Sequence, residues 1–142
     1  MFISHNNIKM EVHNSSIYTQ STNTVSIDIA RFDTLVEYNV VVDSINEQYD
    51  RQNAFILAIE TARLSRTHIS MSIIYEFSNY LNTLKLRTPQ CLIETTIKIY
   101  NNTVYDLLYY LFIYLSPPIA KVQVILYNGT NEIEKIKHYY PQ

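Results

Sequence analysis

Apolar and polar residues alternate in several short stretches of the chain. Ile8, Met10 and Val12 alternate with Lys9, Glu11 and His13, the period of a half-buried strand. Val25, Ile27 and Ile29 alternate with Ser26, Asp28 and Ala30, and predict a second strand. Val36, Tyr38, Val40 and Val42 alternate with Glu37, Asn39 and Val41, and predict a third. Residues 14–23 are polar and read as a loop, or as an extension of both flanking strands into a longer hairpin. Asp33-Thr34 reads as a turn. Three successive strands with short links predict an antiparallel meander, packed on one face and wet on the other.

The period changes at Ser44. Ser44 and Glu47 have capping-box spacing, and helical sequence follows over 44–65, with Phe55, Ala58, Ile59 and Ala62 facing inward. Ile69, Met71 and Ile73 alternate as a strand would. Ile69, Ile73, Phe77, Leu81 and Leu84 also fall at helical spacing, which persists longer and predicts a second helix over 67–84. Ile93, Thr95, Ile97 and Ile99 form a fourth alternating stretch, rich in β-branched residues.

The most apolar run covers 105–115. Thr103 and Asp106 fit a helix-start signal, and Pro117-Pro118 is a stop. Val104, Leu108, Leu111 and Leu115 make a stripe expected to pack on the sheet. The opposite side, with Tyr109, Tyr110 and Ile113, is scarcely polar and needs cover from the 67–84 helix or from another subunit. Val122, Val124 and Leu126 then lead into Asn128-Gly129, which predicts a type I′ hairpin and a last strand over 130–140.

The expected order is β-β-β-α-α-β-α-β-β. It implies an α+β fold: a mainly antiparallel sheet with two to three helices packed on one face. A single domain over 1–142 is expected, with fraying ends at 1–6 and 139–142.

Composition narrows the function classes. The chain has 142 residues, of which 47% are hydrophobic and 17% charged, so it should bury a core. A net charge of -2 gives no global attraction to nucleic acid or to an anionic membrane. The single cysteine, Cys91, allows neither an intramolecular disulfide nor a cysteine-based zinc site. The single glycine, Gly129, disfavours phosphate-cradling loops, and no cofactor is implied. The start of the chain has no basic region followed by an apolar core, and the 105–115 run is about half the ~20 residues a membrane span needs. A cytoplasmic location is expected, or a virion one if the protein is viral. Asn14, Asn101 and Asn128 head N-x-Ser/Thr triplets, read as chance products of an Asn-rich sequence.

Candidate chemistry is sparse. His5, His13, His68 and His138 have no metal-ligand spacing. Cys91 opens an apolar strand, which suits a small core residue better than a nucleophile. Glu60 and Asp106 sit in apolar surroundings, but Asp106 is explained by capping and Glu60 has Arg63 and Arg66 nearby. No catalytic constellation emerges, and an enzyme is not expected. Arg63, Arg66, Lys85 and Arg87 could form a basic end for a regulatory or nucleic-acid-associated module. A ligand site between sheet and helices, using Glu60, His68 and tyrosines, is a third reading.

The 13 tyrosines are the strongest lead. Tyr gives large contact area at low entropy cost and is enriched at protein interfaces. Tyr105, Tyr109, Tyr110, Ile113, Tyr114, Tyr139 and Tyr140 are the candidate interface residues. The expected function is a non-enzymatic structural or interaction protein in a larger, homo- or hetero-oligomeric assembly. The Tyr-, Ile- and Asn-rich composition suits a viral or phage particle component.

Overall fold

Val25, Ile27 and Ile29 are buried along one side of a strand, and so are Phe55 and Leu57 on the strand beside it. The two strands run parallel, with Val25 abreast of Leu57. That pairing sets the architecture. In a computed structural model of the chain, the described residues are 8–17 and 20–142, with side chains from residue 23 onward.

The strands are β1 (Ile8–Ile17), β2 (Gln20–Ile29), β3 (Phe55–Glu60), β4 (Leu92–Ile99), β5 (Lys121–Tyr127) and β6 (Ile133–Tyr139). The helices are α1 (Leu35–Asp50), α2 (Met71–Leu84) and α3 (Asn102–Tyr110). A 3-10 turn covers Arg66–His68, and α3 runs on into a π-helical turn, Leu111–Leu115. The six strands form one sheet in sequence order, β1-β2-β3-β4-β5-β6. β2 to β5 run parallel, and only the outer pairs β1–β2 and β5–β6 are antiparallel.

This overturns the mainly antiparallel α+β expectation: the fold is α/β, with the order β-β-α-β-α-β-α-β-β. Two stretches account for the change. Residues 36–42, read as a third strand, form the start of α1. Their alternation coexists with a helical stripe, Val41, Ile45, Gln48 and Tyr49, whose burial decides the outcome. The capping box lies at Thr34 and Glu37, not at Ser44 and Glu47. Phe55–Glu60, read as the inner half of a helix, is β3. The near-continuous apolar run Phe-Ile-Leu-Ala-Ile is what a strand inside a parallel sheet needs. Once α1 separates β2 from β3, the connection is a crossover and the strands must run parallel.

Residues 14–17 and 20–23 belong to the β1–β2 hairpin, the longer-hairpin option. Asn101, not Thr103, caps α3, its Oδ1 accepting from the Val104 amide at 2.9 Å. The β5–β6 link is longer than a type I′ turn. The Asn128 amide donates to the Glu132 carbonyl at 2.8 Å, and Asn131 rather than Gly129 takes positive φ. Tyr139, expected to fray, ends β6 and is 4% exposed. The expected fraying of 1–6 lies outside the described residues.

Each of the connections β2-α1-β3, β3-α2-β4 and β4-α3-β5 steps one strand in the same direction. With right-handed crossovers, all three helices fall on one face. Burial agrees: Ile97, Ile99, Val122, Val124 and Leu126 join residues of α1, α2 and α3 in one core. Thr96, Lys98, Gln123 and Ile125 alternate with them and stay half-buried or exposed. The sheet's other face therefore carries no helix among the described residues. Parallel sheets ordinarily have both faces covered.

Candidate functional site: an aromatic face on the third helix

α3 is anchored through its stripe. Val104 and Leu111 are buried, and Leu108 and Leu115 pack against the core, as their spacing predicts. Past Tyr110 the helix widens. The Ser116 amide donates to the Leu111 carbonyl at 2.8 Å, an i to i+5 closure that takes one extra residue into the turn. Ser116 is completely buried, and its hydroxyl donates to Asn82 Oδ1 at 2.9 Å. Asn82 Nδ2 in turn donates to the Leu115 carbonyl at 3.4 Å. Asn82 of α2 thus fastens the end of the π turn.

The outward side of this segment is aromatic. Tyr109, Tyr110, Ile113 and Tyr114 are all exposed, Tyr114 at 67%. Tyr110 and Tyr114 rings lie 5.7 Å apart, and Tyr109 meets Tyr114 edge-on at 6.3 Å. Tyr75 of α2 extends the group: its hydroxyl lies 3.3 Å from that of Tyr110. That contact with Tyr75, first of the causes, raises the pKa of Tyr110. α2 therefore touches only the edge of the face and leaves it uncovered. Contiguous exposed apolar surface of this kind marks interaction sites.

The remaining candidate interface residues fall elsewhere. Tyr139 lies beneath the face, packed on Phe112 at 5.3 Å and Tyr109 at 6.5 Å. Tyr105 is half-buried, with Lys135 Nζ 4.8 Å from its ring centre. Tyr140 is exposed and meets His138, on the uncovered side of the sheet. Tyr75 belongs to the face but was outside the candidate set. Its place on α2, facing Tyr110, depends on helix packing that spacing alone does not reveal.

The four basic candidates do not form one patch. Arg63 and Arg66 follow the C-terminal end of β3, while Lys85 and Arg87 precede the N-terminal end of β4, at the opposite end of the parallel strands. Arg63 pairs with Asp28 at 3.3 Å. Arg87 pairs with Asp50 at 3.1 Å and lies over the Tyr49 ring.

The uncovered sheet face holds a second feature, which sequence reasoning missed. A basin of about 280 Å³ is lined by Ser26, Asp28, Ala58, Glu60, Thr96 and Lys98. Ala58, the small residue among them, leaves the space. Glu60 accepts from the Ala62 amide at 3.0 Å. Tyr100 stacks on Tyr127 at 5.2 Å, and its pKa is raised by burial first and by the neighbouring Glu60 second. His68 does not line this basin, so Glu60 and His68 do not share it. The polar members of the β2, β3 and β4 alternations are the available signal, but the helical spacing of Phe55, Ala58, Ile59 and Ala62 masks β3 in the sequence.

Cys91 is buried, and burial pushes its thiol pKa up, opposite to what a nucleophile needs. Asp106 is exposed on α3. Among the described residues no cluster of three or more His, Cys, Asp or Glu side chains comes together as metal ligands. No described helix is long and apolar enough to cross a membrane. No protein-family model, curated protein or solved structure matches this chain.

Proposed function

We propose that the protein is a non-enzymatic interaction protein that works inside a larger protein assembly, and that the aromatic face of α3 and the π turn is its docking surface. The supporting observation is the exposed group Tyr75, Tyr109, Tyr110, Ile113 and Tyr114 on a backbone pinned by Asn82. Tyr rings offer apolar area with a hydroxyl at the tip, and a rigid platform loses little entropy when it binds. The occupant this chemistry favours is a protein surface with an apolar centre and carbonyl acceptors at its rim. The Asn-, Ile- and Tyr-rich composition fits a virus or phage particle as the assembly. The four separated arginines and lysines favour a protein partner over nucleic acid.

The test is co-sedimentation of the full-length chain from its native source. Wild type is expected to travel with a larger complex. Ile113→Asp combined with Tyr114→Ala is expected to leave it free while circular dichroism stays unchanged. A folded double variant that still travels with the complex, or a wild type that sediments alone, overturns the reading.

A further inference from the structure

The uncovered sheet face is a different surface from the aromatic face, and its charges are ordered. Asp28, Glu60, Lys98 and Ile125 lie abreast on β2, β3, β4 and β5. Read across the strands, the rank runs negative, negative, positive, neutral. Glu60 and Lys98 stand on either side of the midline of the six-stranded sheet. They are neighbours in register, yet no ion pair joins them. Glu60 is turned to the Ala62 amide, and Lys98 is exposed with no ion pair among the described residues. The rank beside it, Ser26, Ala58, Thr96 and Gln123, is uncharged and small at its centre.

We propose that this face binds a second copy of the same chain, related by a two-fold axis that runs along the strands over the boundary between β3 and β4. Such an axis carries β3 of one copy onto β4 of the other. Glu60 of each copy then meets Lys98 of its partner, and two charges that form no ion pair among the described residues become self-complementary. In the next rank Ala58 meets Thr96, two small side chains that let the sheets approach to the ~10 Å of face-to-face packing. The basin of about 280 Å³ over Ala58, with Asp28 and Glu60 on its rim, receives the partner's Lys98 chain and ammonium. Asp28 keeps its own partner, Arg63, at 3.3 Å.

Area is sufficient for a modest dimer. Six strands at ~4.8 Å spacing and about six residues at ~3.3 Å give roughly 24 by 20 Å, or ~1,000 Å² over both copies. That lies below the ~1,200–2,000 Å² of stable specific interfaces and in the size class of weak, reversible ones. An isologous contact of this kind closes on itself and leaves the aromatic face of each copy free for another partner.

The test is sedimentation velocity at about 1–100 µM, the range in which a micromolar dimer dissociates. Wild type is expected to shift from monomer to dimer across it. Lys98→Glu and Glu60→Lys are each expected to remain monomeric, because each places like charges opposite one another twice. An equimolar mixture of the two variants is expected to recover a dimer, since Glu60 and the substituted position 98 of one then oppose the substituted position 60 and Lys98 of the other. Thr96→Arg, which fills the close-approach rank, is expected to abolish both the wild-type and the mixed dimer. The proposal is overturned by a wild type that stays monomeric, by single variants that dimerise like wild type, or by a mixture of folded variants that does not recover.

Discussion

The Thr34 hydroxyl donates to Glu37 Oε1 at 2.7 Å, and the Thr34 amide donates to the same oxygen at 3.1 Å. The Val36 amide closes the box on Thr34 Oγ1 at 3.2 Å. Glu37 is 4% exposed, so this capping box consumes a buried carboxylate at the head of the longest helix. Thr34→Ala is expected to cost ~1 kcal/mol, the ordinary value for a lost N-cap. Glu37→Ala removes the acceptor of the exposed Thr34 hydroxyl and amide, which water can then serve, and is expected to cost about as much as the lost cap, ~1 kcal/mol. Urea unfolding of the two variants measures both. Equal, near-zero losses would show that α1 is held by packing alone.

That box stands in the sequence as Thr-x-x-Glu, but the alternation of Val36, Tyr38, Val40 and Val42 after it points to a turn followed by a strand. Five β-branched or aromatic residues in the seven positions 36–42 carry a strong local strand preference. Burial of Val41, Ile45 and Tyr49 against the sheet outweighs it. The stretch 55–60 failed in the opposite direction. Its small Ala58 and the later Ala62 completed a helical spacing, whereas the uninterrupted apolar run was the better guide. By contrast β4, α3 and β5 were legible, because one period dominated in each; α2 was legible over 71–84, where helical spacing outlasts the alternation of Ile69, Met71 and Ile73, but its expected start at 67 falls in the preceding 3-10 turn. The α3 stripe and its exposed tyrosines were therefore visible in the sequence. A sheet with helices on one face was part of the expectation, but the residues that line up on its other face were not legible, since their register depends on the parallel strand order.

Asn82 connects α2 to the aromatic platform through Ser116 and the Leu115 carbonyl. Asn82→Ala leaves the fully buried Ser116 hydroxyl without its acceptor and is expected to cost ~1–3 kcal/mol. Because it loosens the π turn, it should also raise amide exchange at residues 111–116 more than in β4 or β5. Uniform exchange across the chain would argue against Asn82 as the local fastener.

Burial pushes the phenols of Tyr49 and Tyr139 up to about 12, and raises those of Tyr80 and Tyr100 as well. In an unfolded chain a phenol ionises near ~10. Above that pH the unfolded state loses protons that the folded state keeps. Stability is therefore intact below pH ~10 and falls as pH rises toward 12. The Tyr139 hydroxyl is also buried with no hydrogen-bond partner among the described residues. Tyr139→Phe should then leave stability at pH 7 equal or slightly higher, and should flatten the alkaline slope by up to ~1.4 kcal/mol per pH unit. A loss above ~1 kcal/mol at pH 7 would mean that the hydroxyl is bonded.

Cys91 is 3% exposed, and its thiol pKa is raised by burial. Reaction with a disulfide reagent at pH 8 should be slow in the native protein and should accelerate at the urea midpoint, together with loss of helical signal. Rapid labelling of the folded chain would contradict its place in the core.

The docking role of the aromatic face is tested most directly by a photo-crosslinking residue placed at Tyr114, with Leu86, 82% exposed and outside the aromatic group, as the control. In cells or particles that contain the full-length protein, irradiation should give a discrete protein adduct at position 114 and none at position 86. Ile113→Asp in the same chain should remove that adduct. Equal labelling at both positions, or none at 114, would contradict a docking role for this face.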